Sequence, residues 1–260
     1  MKVVYILAAW IFSVCCVFSQ SQYFSIPEKN CSDAFGILPS WVTNPLNLKN
    51  IDKITFIGLI SPSRYFVKEL NSVGTGVILP MPLGIKSSLN IAYLGSKKFY
   101  YSQANFNFQR DVFEKFNFAL SFGGNFFTIP SFGYKFHPNI DAFIEYFPYE
   151  FLSTSFKYKN LFGLNPLENN IAGFGCLFKF ENFCALGFDC NIAFSLYTSY
   201  SFNLELLPYE NLCLNFVVST LPQTLNLSLG YKFDGFSFSL HFIYHNYLGL
   251  SQTIGFTNEF

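Results

Sequence analysis

Charged side chains are scarce in this chain. Asp, Glu, Lys and Arg make up 12% of its 260 residues, about half of the 25% that is usual in a soluble domain. The shortage indicates that part of the surface meets a solvent other than water. Acidic and basic residues number 16 each, so the formal net charge is zero. Without a basic patch, we expect no nucleic-acid partner.

Long apolar runs are missing too, although 51% of the residues are hydrophobic. Beyond residue 20, no stretch reaches the roughly 18 uncharged apolar residues that mark a membrane-spanning helix. This argues against a helical membrane protein. Apolar residues that are divided among short alternating segments are instead typical of transmembrane β-strands.

Signatures of catalysis and metal binding are also absent. The sequence contains none of the short motifs of serine hydrolases, zinc proteases, phosphate-binding loops or dinucleotide-binding folds. His241 and His245 would lie about 13 Å apart on a strand, too far to share one metal ion. We therefore predict no catalytic, cofactor-binding or metal site, and we do not expect an enzyme.

Seven cysteines are present, two of them within the first 20 residues. The other five are odd in number and form no CxxC pair, so free thiols are favoured. A single disulfide such as Cys184–Cys190 is the alternative. The five cysteines are Cys31, Cys176, Cys184, Cys190 and Cys213.

The N-terminus has the pattern of a secretory leader. Lys2 precedes an apolar run over residues 3–18, and the polar sequence Ser-Gln-Ser-Gln follows. A charge, an apolar run and a polar boundary in this order predict a signal peptide over residues 1–19 that is removed on export. An uncleaved anchor and a lipoprotein modified at Cys15 or Cys16 are the alternatives.

Residues 20–50 show no clear periodicity and are interrupted by three prolines. They are rich in large apolar side chains, which would favour aggregation if they were free in water. A barrel of 12 or more strands leaves interior space, so we predict that this segment folds into the lumen as a plug. Trp41 and the Asn44-Pro45 turn would lie near its exit into the first strand. A cap under the periplasmic rim is the alternative.

From residue 51 to the end, large apolar residues alternate with small or polar ones. Residues 116–122, 225–233 and 236–242 show this most clearly. Successive side chains of a strand point to opposite faces, so Phe236, Phe238, Leu240 and Phe242 would face lipid, with Ser237, Ser239 and His241 inside. The pattern predicts an all-β, transmembrane antiparallel barrel of 12–14 strands with an irregular N-terminal segment. A soluble β-sandwich shows the same alternation, so it is the alternative to the membrane barrel.

Turn signals such as Asp234-Gly235 divide the region 51–260 into segments. The candidate strands lie near 54–61, 72–79, 86–94, 99–109, 115–127, 140–147, 150–159, 170–180, 183–190, 195–206, 211–219, 223–233, 235–245 and 249–259.

The C-terminus also favours the membrane barrel. Ile254, Phe256 and the final residue Phe260 fall on one face of the last strand. This ending resembles the signal that the bacterial barrel-assembly machinery reads, although Gln252 and Asn258 depart from the pattern.

Two short stretches resemble known barrel families. Asn44-Pro45-Leu46 and the turn at residues 61–65 are similar to the fatty-acid-transporter superfamily, and the ending at residues 244–251 is similar to type IX secretion barrel proteins of Bacteroidota. The first resemblance implies a 14-stranded barrel with the N-terminal segment as a hatch. It implies no ligand-binding residues here, because the chain is too short to carry the long loops of those transporters.

These observations predict a barrel of the bacterial outer membrane, narrow or plugged, that passes or binds a small hydrophobic solute. An interior lined by Ser, Asn and Gly argues against an ion-selective porin, which usually carries rings of charge. The alternative is a structural barrel that transports nothing and docks secretion-system proteins. The expected partners are the lipid bilayer, the assembly machinery and either the solute or those proteins.

Overall fold

The computed structural model describes residues 44–260 except 64–69, 97–98, 114, 130–132, 165–169, 181–182, 195–196, 210 and 222. The predicted signal peptide and Trp41 lie outside the described residues. The described part contains fourteen strands: β1 Thr55–Ser61, β2 Asn71–Pro80, β3 Ile85–Ser96, β4 Phe99–Val112, β5 Phe116–Ile129, β6 Gly133–Tyr149, β7 Leu152–Lys159, β8 Ile171–Phe180, β9 Cys184–Ala193, β10 Tyr197–Tyr209, β11 Leu212–Thr220, β12 Gln223–Phe233, β13 Phe236–His245 and β14 Gly249–Glu259.

Each strand pairs antiparallel with the next, and β1 pairs with β14 to close a barrel. The predicted all-β barrel is confirmed, at the upper end of the expected strand number. Three short 3-10 helices accompany the strands in the described part: Pro45–Asn50, Pro82–Gly84 and Leu161–Gly163. No helix in these ranges is long and apolar enough to cross a membrane.

The two ends of the barrel differ in the length of their connections. The end where β1 begins and β14 finishes, here called the terminal rim, has tight turns such as Asp234–Gly235. The opposite end, the far rim, carries the longer connections at residues 62–70 and 160–170. Bacterial barrels have short periplasmic turns and longer extracellular loops, so this difference gives the barrel a direction.

Two prolines that the sequence analysis placed between strands lie inside them. The register of β6 against β7 shifts between Tyr146 and Tyr149, around Pro148. The register of β10 against β11 shifts between Leu206 and Tyr209, around Pro208. Proline has no N–H to give to the ladder and is tolerated at such bulges, so these strands extend further than the turn signals indicated.

The side chains alternate between the faces as predicted. On β13, the outward Phe238 is 39% exposed, whereas Ser237 and His241 on the other face are 8% and 4% exposed. The ring nitrogens of His241 lie 2.9 Å from the hydroxyls of Ser228 and Ser239. Large apolar side chains therefore cover the outside, and polar ones bond to each other inside.

The closing pair of strands interlocks through two glycines. Gly58 of β1 lies opposite Phe256 of β14, and Leu59 lies opposite Gly255. A Cβ at Gly58 would overlap the Phe256 ring, and one at Gly255 would come within 2.8 Å of Leu59 Cδ2. On each face a large side chain thus covers a glycine across the seam, an arrangement that a shifted register would lose.

The alternative disulfide is wrong. Cys184 and Cys190 lie on the same strand, six residues apart, which separates their Cα atoms by about 20 Å, far beyond the roughly 7 Å limit for a disulfide. Among the described residues, neither of them forms a disulfide, and neither does Cys176 or Cys213. Cys31 lies outside the described residues.

The facing of β13 leads to a test with two arginine substitutions. Leu240 is outward near the middle of the strand, and Ser239 next to it is inward. Leu240→Arg should lower the free energy of unfolding by about 2–4 kcal/mol, because it places a charge in hydrocarbon. Ser239→Arg, the matched control, should cost less. Unfolding in urea, followed by the heat-dependent gel mobility of the reconstituted barrel, measures both, and equal losses would contradict the assignment.

Candidate functional site

The inner wall of the barrel is lined mainly by uncharged polar side chains. Ten asparagines on the inner face are at most 6% exposed. They come from β3–β6 and β9–β12, so they are distributed around much of the circumference. They are Asn90, Asn105, Asn107, Asn117, Asn125, Asn139, Asn191, Asn203, Asn215 and Asn226.

The interior also carries charges that the sequence analysis did not single out. Asp141 and Glu145 of β6, Lys157 and Lys159 of β7, and Asp189 of β9 all point inward. Their position in the alternating pattern of each strand would have revealed them. Lys157, Lys159 and Asp189 stand where their strands otherwise place small or polar residues, and Asp141 and Glu145 stand on either side of the inward Phe143. Charged residues at such positions face the lumen rather than lipid.

These charges neutralise each other along the wall. Lys157 Nζ lies 3.9 Å from Asp189 Oδ2, and the backbone N–H of Asn160 donates to Asp141 Oδ1 over 2.9 Å. Gly175 makes room, because a Cβ there would lie 2.7 Å from Asp189 Oδ1. The wall of β6–β9 therefore carries individual charges, and opposite charges lie close to one another.

The 3-10 helix Pro45–Asn50, here called the lumen helix, lies inside the terminal end of the barrel against β3–β6. Asn44 precedes it, and its side-chain oxygen accepts from the backbone N–H of Leu46 over 3.3 Å. Pro45 occupies the first helical position, where its missing N–H costs nothing. The two described plug candidates, Asn44 and Pro45, thus form the start of this helix.

Two leucines anchor the lumen helix to the wall. Leu48 is fully buried against Ile57, Ile78 and Ala92, and Leu46 is buried against Ala119 and Phe143. Burying a leucine side chain stabilises by about 1.5–3 kcal/mol. The helix therefore has its own apolar attachment on one side of the lumen, reaching from β1 to β6.

Lys49 supplies an ion pair beside this apolar contact. Its Nζ lies 2.7 Å from Glu145 Oε2, and the Glu145 side chain is 1% exposed. The same Nζ is 3.9 Å from the centre of the Phe147 ring, a favourable position for a cation. Burial lowers the pKa of Lys49, and the Glu145 carboxylate partly offsets that effect.

The backbone carbonyls of the lumen helix are bound as well. Asn117 Nδ2 donates to the carbonyl of Leu46 over 3.2 Å. Lys86 Nζ donates to the carbonyl of Lys49 and, over 2.6 Å, to Asp52 Oδ1. Lys86, Asn117 and Glu145 are here called the helix latch. Lys86 and Asn117 donate to carbonyl groups that a six-residue helix cannot satisfy internally, and Glu145 accepts from the Lys49 side chain.

A small cavity separates the start of the lumen helix from the charged wall. It is lined by Asn44, Leu46, Glu145, Lys157 and Asp189, among others, and its space for the centres of water molecules is about 30 Å³. One water needs roughly 10–15 Å³ by this measure, so the cavity is suited to a few waters. Within the described ranges, no group of three or more His, Cys, Asp or Glu residues is placed to hold a metal ion.

The predicted assembly signal lies on the outer face of β14. Ile254 and Phe256 are exposed there, and Phe260 follows at the terminal rim. The N–H of Phe260 donates to the carbonyl of Ile54 over 2.9 Å, and its ring lies edge-on to Phe56 with centres 5.6 Å apart. The final residue is thus tied to the first strand.

Solved structures of membrane barrels match this chain over most of its length. The toluene transporter TodX of Pseudomonas putida superposes with a TM-score of 0.63 at 9% identity, covering 85% of this chain and 93% of that chain. The toluene transporter TbuX of Ralstonia pickettii gives 0.61 at 10% identity, covering 91% and 100%. The chain has the fold of an outer-membrane β-barrel.

The monoaromatic hydrocarbon channel CymD is similar as well, with a TM-score of 0.56 at 11% identity and coverage of 92% of this chain and 99% of that chain. At such low identities, the likeness concerns the fold alone. No protein-family model matches the sequence, and no curated protein matches it.

The helix latch leads to a test by limited proteolysis. Glu145→Gln removes the anion beside the buried Lys49, and breaking a buried pair in this way costs about 3–5 kcal/mol. The lumen helix should then leave the wall, and trypsin should cleave after Lys49 much faster than in the wild type.

Asp52→Asn is the matched control, because Asp52 is 86% exposed in its pair with Lys86, and exposed pairs contribute little. Mass spectrometry separates cleavage after Lys49 from cleavage after Lys53, and gel mobility reports whether the barrel stays folded. Equal protection of Lys49 in Glu145→Gln and the wild type would show that the ion pair does not hold the helix.

Proposed function

We propose that this chain is an integral barrel of the bacterial outer membrane that admits a small hydrophobic solute past an N-terminal plug. One observation carries the proposal: a closed 14-stranded barrel with its N-terminal helix packed inside shares its fold, over 85–91% of its length, with two toluene transporters. The fold does not determine the solute, so the proposal of a hydrophobic solute must be supported by the side chains of the inner surface.

The lining of β1–β3 supports a hydrophobic solute. Ile57, Leu59, Ile78 and Leu94 point inward there and are buried, whereas β10–β13 present mainly Asn, Ser and Thr on their inner faces. This side of the lumen therefore carries apolar groups at both ends, Ile57 and Ile78 beside the lumen helix and Leu94 near the far rim, with Ser88 and Asn90 between them. An apolar molecule that follows this side keeps its surface away from water, which is favourable.

The direction of the barrel and its route to the membrane belong to the same proposal. The short turns of the terminal rim would face the periplasm, and the long connections of the far rim would face outward. Residues 1–19 would direct export as a signal peptide. Ile254, Phe256 and Phe260 would be read by the assembly machinery.

The plug would extend beyond the lumen helix. Inner side chains of β10–β12 such as Asn203, Asn215 and Ser228 are at most 5% exposed, although the lumen helix lies against β3–β6. A plug over residues 20–50 would provide such a cover, and residues 20–43 of that plug lie outside the described residues.

Uptake by intact cells tests the solute. Cells that expose the chain in their outer membrane should take up radiolabelled toluene faster than cells with an equal amount of an unrelated folded barrel, because the apolar lining shelters the molecule from water. Uptake equal to that of the control cells, together with a large ohmic conductance of the purified chain, would identify a water-filled porin instead. No uptake and no conductance would favour the barrel that docks secretion-system proteins.

Deletion of residues 23–42 tests the plug. The deletion removes most of the proposed cover and leaves the lumen helix, so single-channel conductance should rise while heat-dependent gel mobility still reports a folded barrel. A matched control replaces the same residues with a Gly/Ser sequence of equal length, which keeps the chain length but not the apolar side chains. Unchanged conductance in both variants, with easy protease trimming of this segment in the intact protein, would rule out the plug.

A further inference from the structure

An aromatic row lies on the inner wall of β3–β5 near the far rim. Leu94 and Tyr101 are buried there, with Leu70 and Phe127 packed against them. The ring centres of Tyr101 and Phe127 are 4.8 Å apart, and the Phe127 ring lies 6.1 Å from that of His137. Aromatic rings are thus concentrated on one inner surface, at the end of the barrel opposite the lumen helix.

The strand register places two polar rows directly below the aromatic row. Tyr101 pairs with Phe127, and two residues further into the barrel Asn125 lies between Gln103 and His137. Two residues deeper still, Gly123 lies between Asn105 and Asn139. Steps of two residues along a strand are about 6.6 Å. Apolar and polar groups are therefore separated by the dimensions of a small molecule.

Both polar rows contain buried atoms without a hydrogen-bond partner among the described residues. In the upper row, the Tyr101 hydroxyl lies 3.1 Å from Gln103 Oε1 and 3.0 Å from Asn125 Oδ1. By contrast, His137 Nε2, Asn105 Oδ1 and Asn139 Oδ1 are buried and have no hydrogen-bond partner among the described residues. Asn105 and Asn139 are only 3% and 2% exposed. Buried polar atoms without a partner are costly, and a bound molecule with a donor would relieve that cost.

We propose that this surface, the far-rim patch (Tyr101, Asn105, Phe127, His137 and Asn139), binds a small aromatic molecule that carries a hydroxyl group, such as a phenol. The ring would lie against Tyr101 and Phe127, where aromatic contacts are favourable. The hydroxyl would reach His137 Nε2 first, with the carbonyl oxygens of Asn105 and Asn139 deeper along the wall.

The inference rests on the proposed passage of a hydrophobic solute and narrows its class. A hydrocarbon such as toluene would contact only the aromatic side chains, whereas the single O–H of a phenol would also pair with one of the polar atoms, His137 Nε2. A site built to bond a hydroxyl discriminates against an analogue without one, because its own groups then stay unpaired. The far-rim patch therefore favours a hydroxylated ring over a methylated ring of equal size.

Calorimetry on the full mature chain in lipid nanodiscs tests this preference with phenol and toluene as the probes, corrected for protein-free discs. Phenol should bind about tenfold more tightly than toluene, as expected for one well-placed hydrogen bond. The double variant His137→Phe/Asn139→Leu should lose the preference while keeping affinity for toluene. Phe127→Leu should weaken both probes.

Asn226→Leu is the matched control. Asn226 Oδ1 on β12 is also buried without a partner among the described residues, but its paired neighbours on the inner face are Val217 and Ile243. This variant should leave both affinities unchanged. Gel mobility confirms that each variant is folded before titration.

Equal affinity for phenol and toluene in the wild type, or a phenol preference that survives in the double variant, would overturn the inference. Failure to bind either probe while cells still take up toluene would overturn the inference and leave the proposed function standing. Failure of both binding and uptake would overturn both.

Discussion

The pairing of β1 with β14 is the constraint on which the rest of the structure depends. Hydrocarbon offers no water to hydrogen-bond a free strand edge, so every backbone N–H and C=O inside it must be satisfied by the chain itself. An open sheet would leave two edges, and closure removes both. The glycines at the seam allow Phe256 and Leu59 to cover it on opposite faces, so the closing register is held by side-chain packing as well as by hydrogen bonds.

Closure also decides where the polar side chains go. With lipid outside, the large apolar residues face outward, and Asn, Ser, Thr and a few charges are left to share the interior. A barrel of 14 strands is wider than one whose own side chains fill it, so part of the interior needs another element. The lumen helix supplies one, with Leu46 and Leu48 against the apolar part of the wall and Lys49 paired with Glu145. Apolar contact and charge neutralisation thus hold the same short segment.

Much of the fold could be predicted from the sequence, and the site much less. The alternation over residues 225–242 indicated both the strands and the faces of their side chains, because the period of two is a local property. The turn signals predicted the ends of two strands before Pro148 and Pro208, whereas the strands continue past them, because a β-bulge tolerates a proline that a regular ladder does not. The inward charges of Lys157 and Asp189 were detectable in principle from their phase, but they lie on different strands, and no short sequence motif links them.

The sequence by itself determined the strand periodicity and which residues of each strand share a face, and it predicted a membrane barrel of 12–14 strands. Only the tertiary structure decided which side chains meet inside. Glu145 binds Lys49 from 96 positions away, and His137 reaches the aromatic row through the register of β5 with β6. Alternation sets the face of a residue but not its height or its neighbours across the lumen. Those follow from the register and curvature of the closed sheet, which no local spacing encodes.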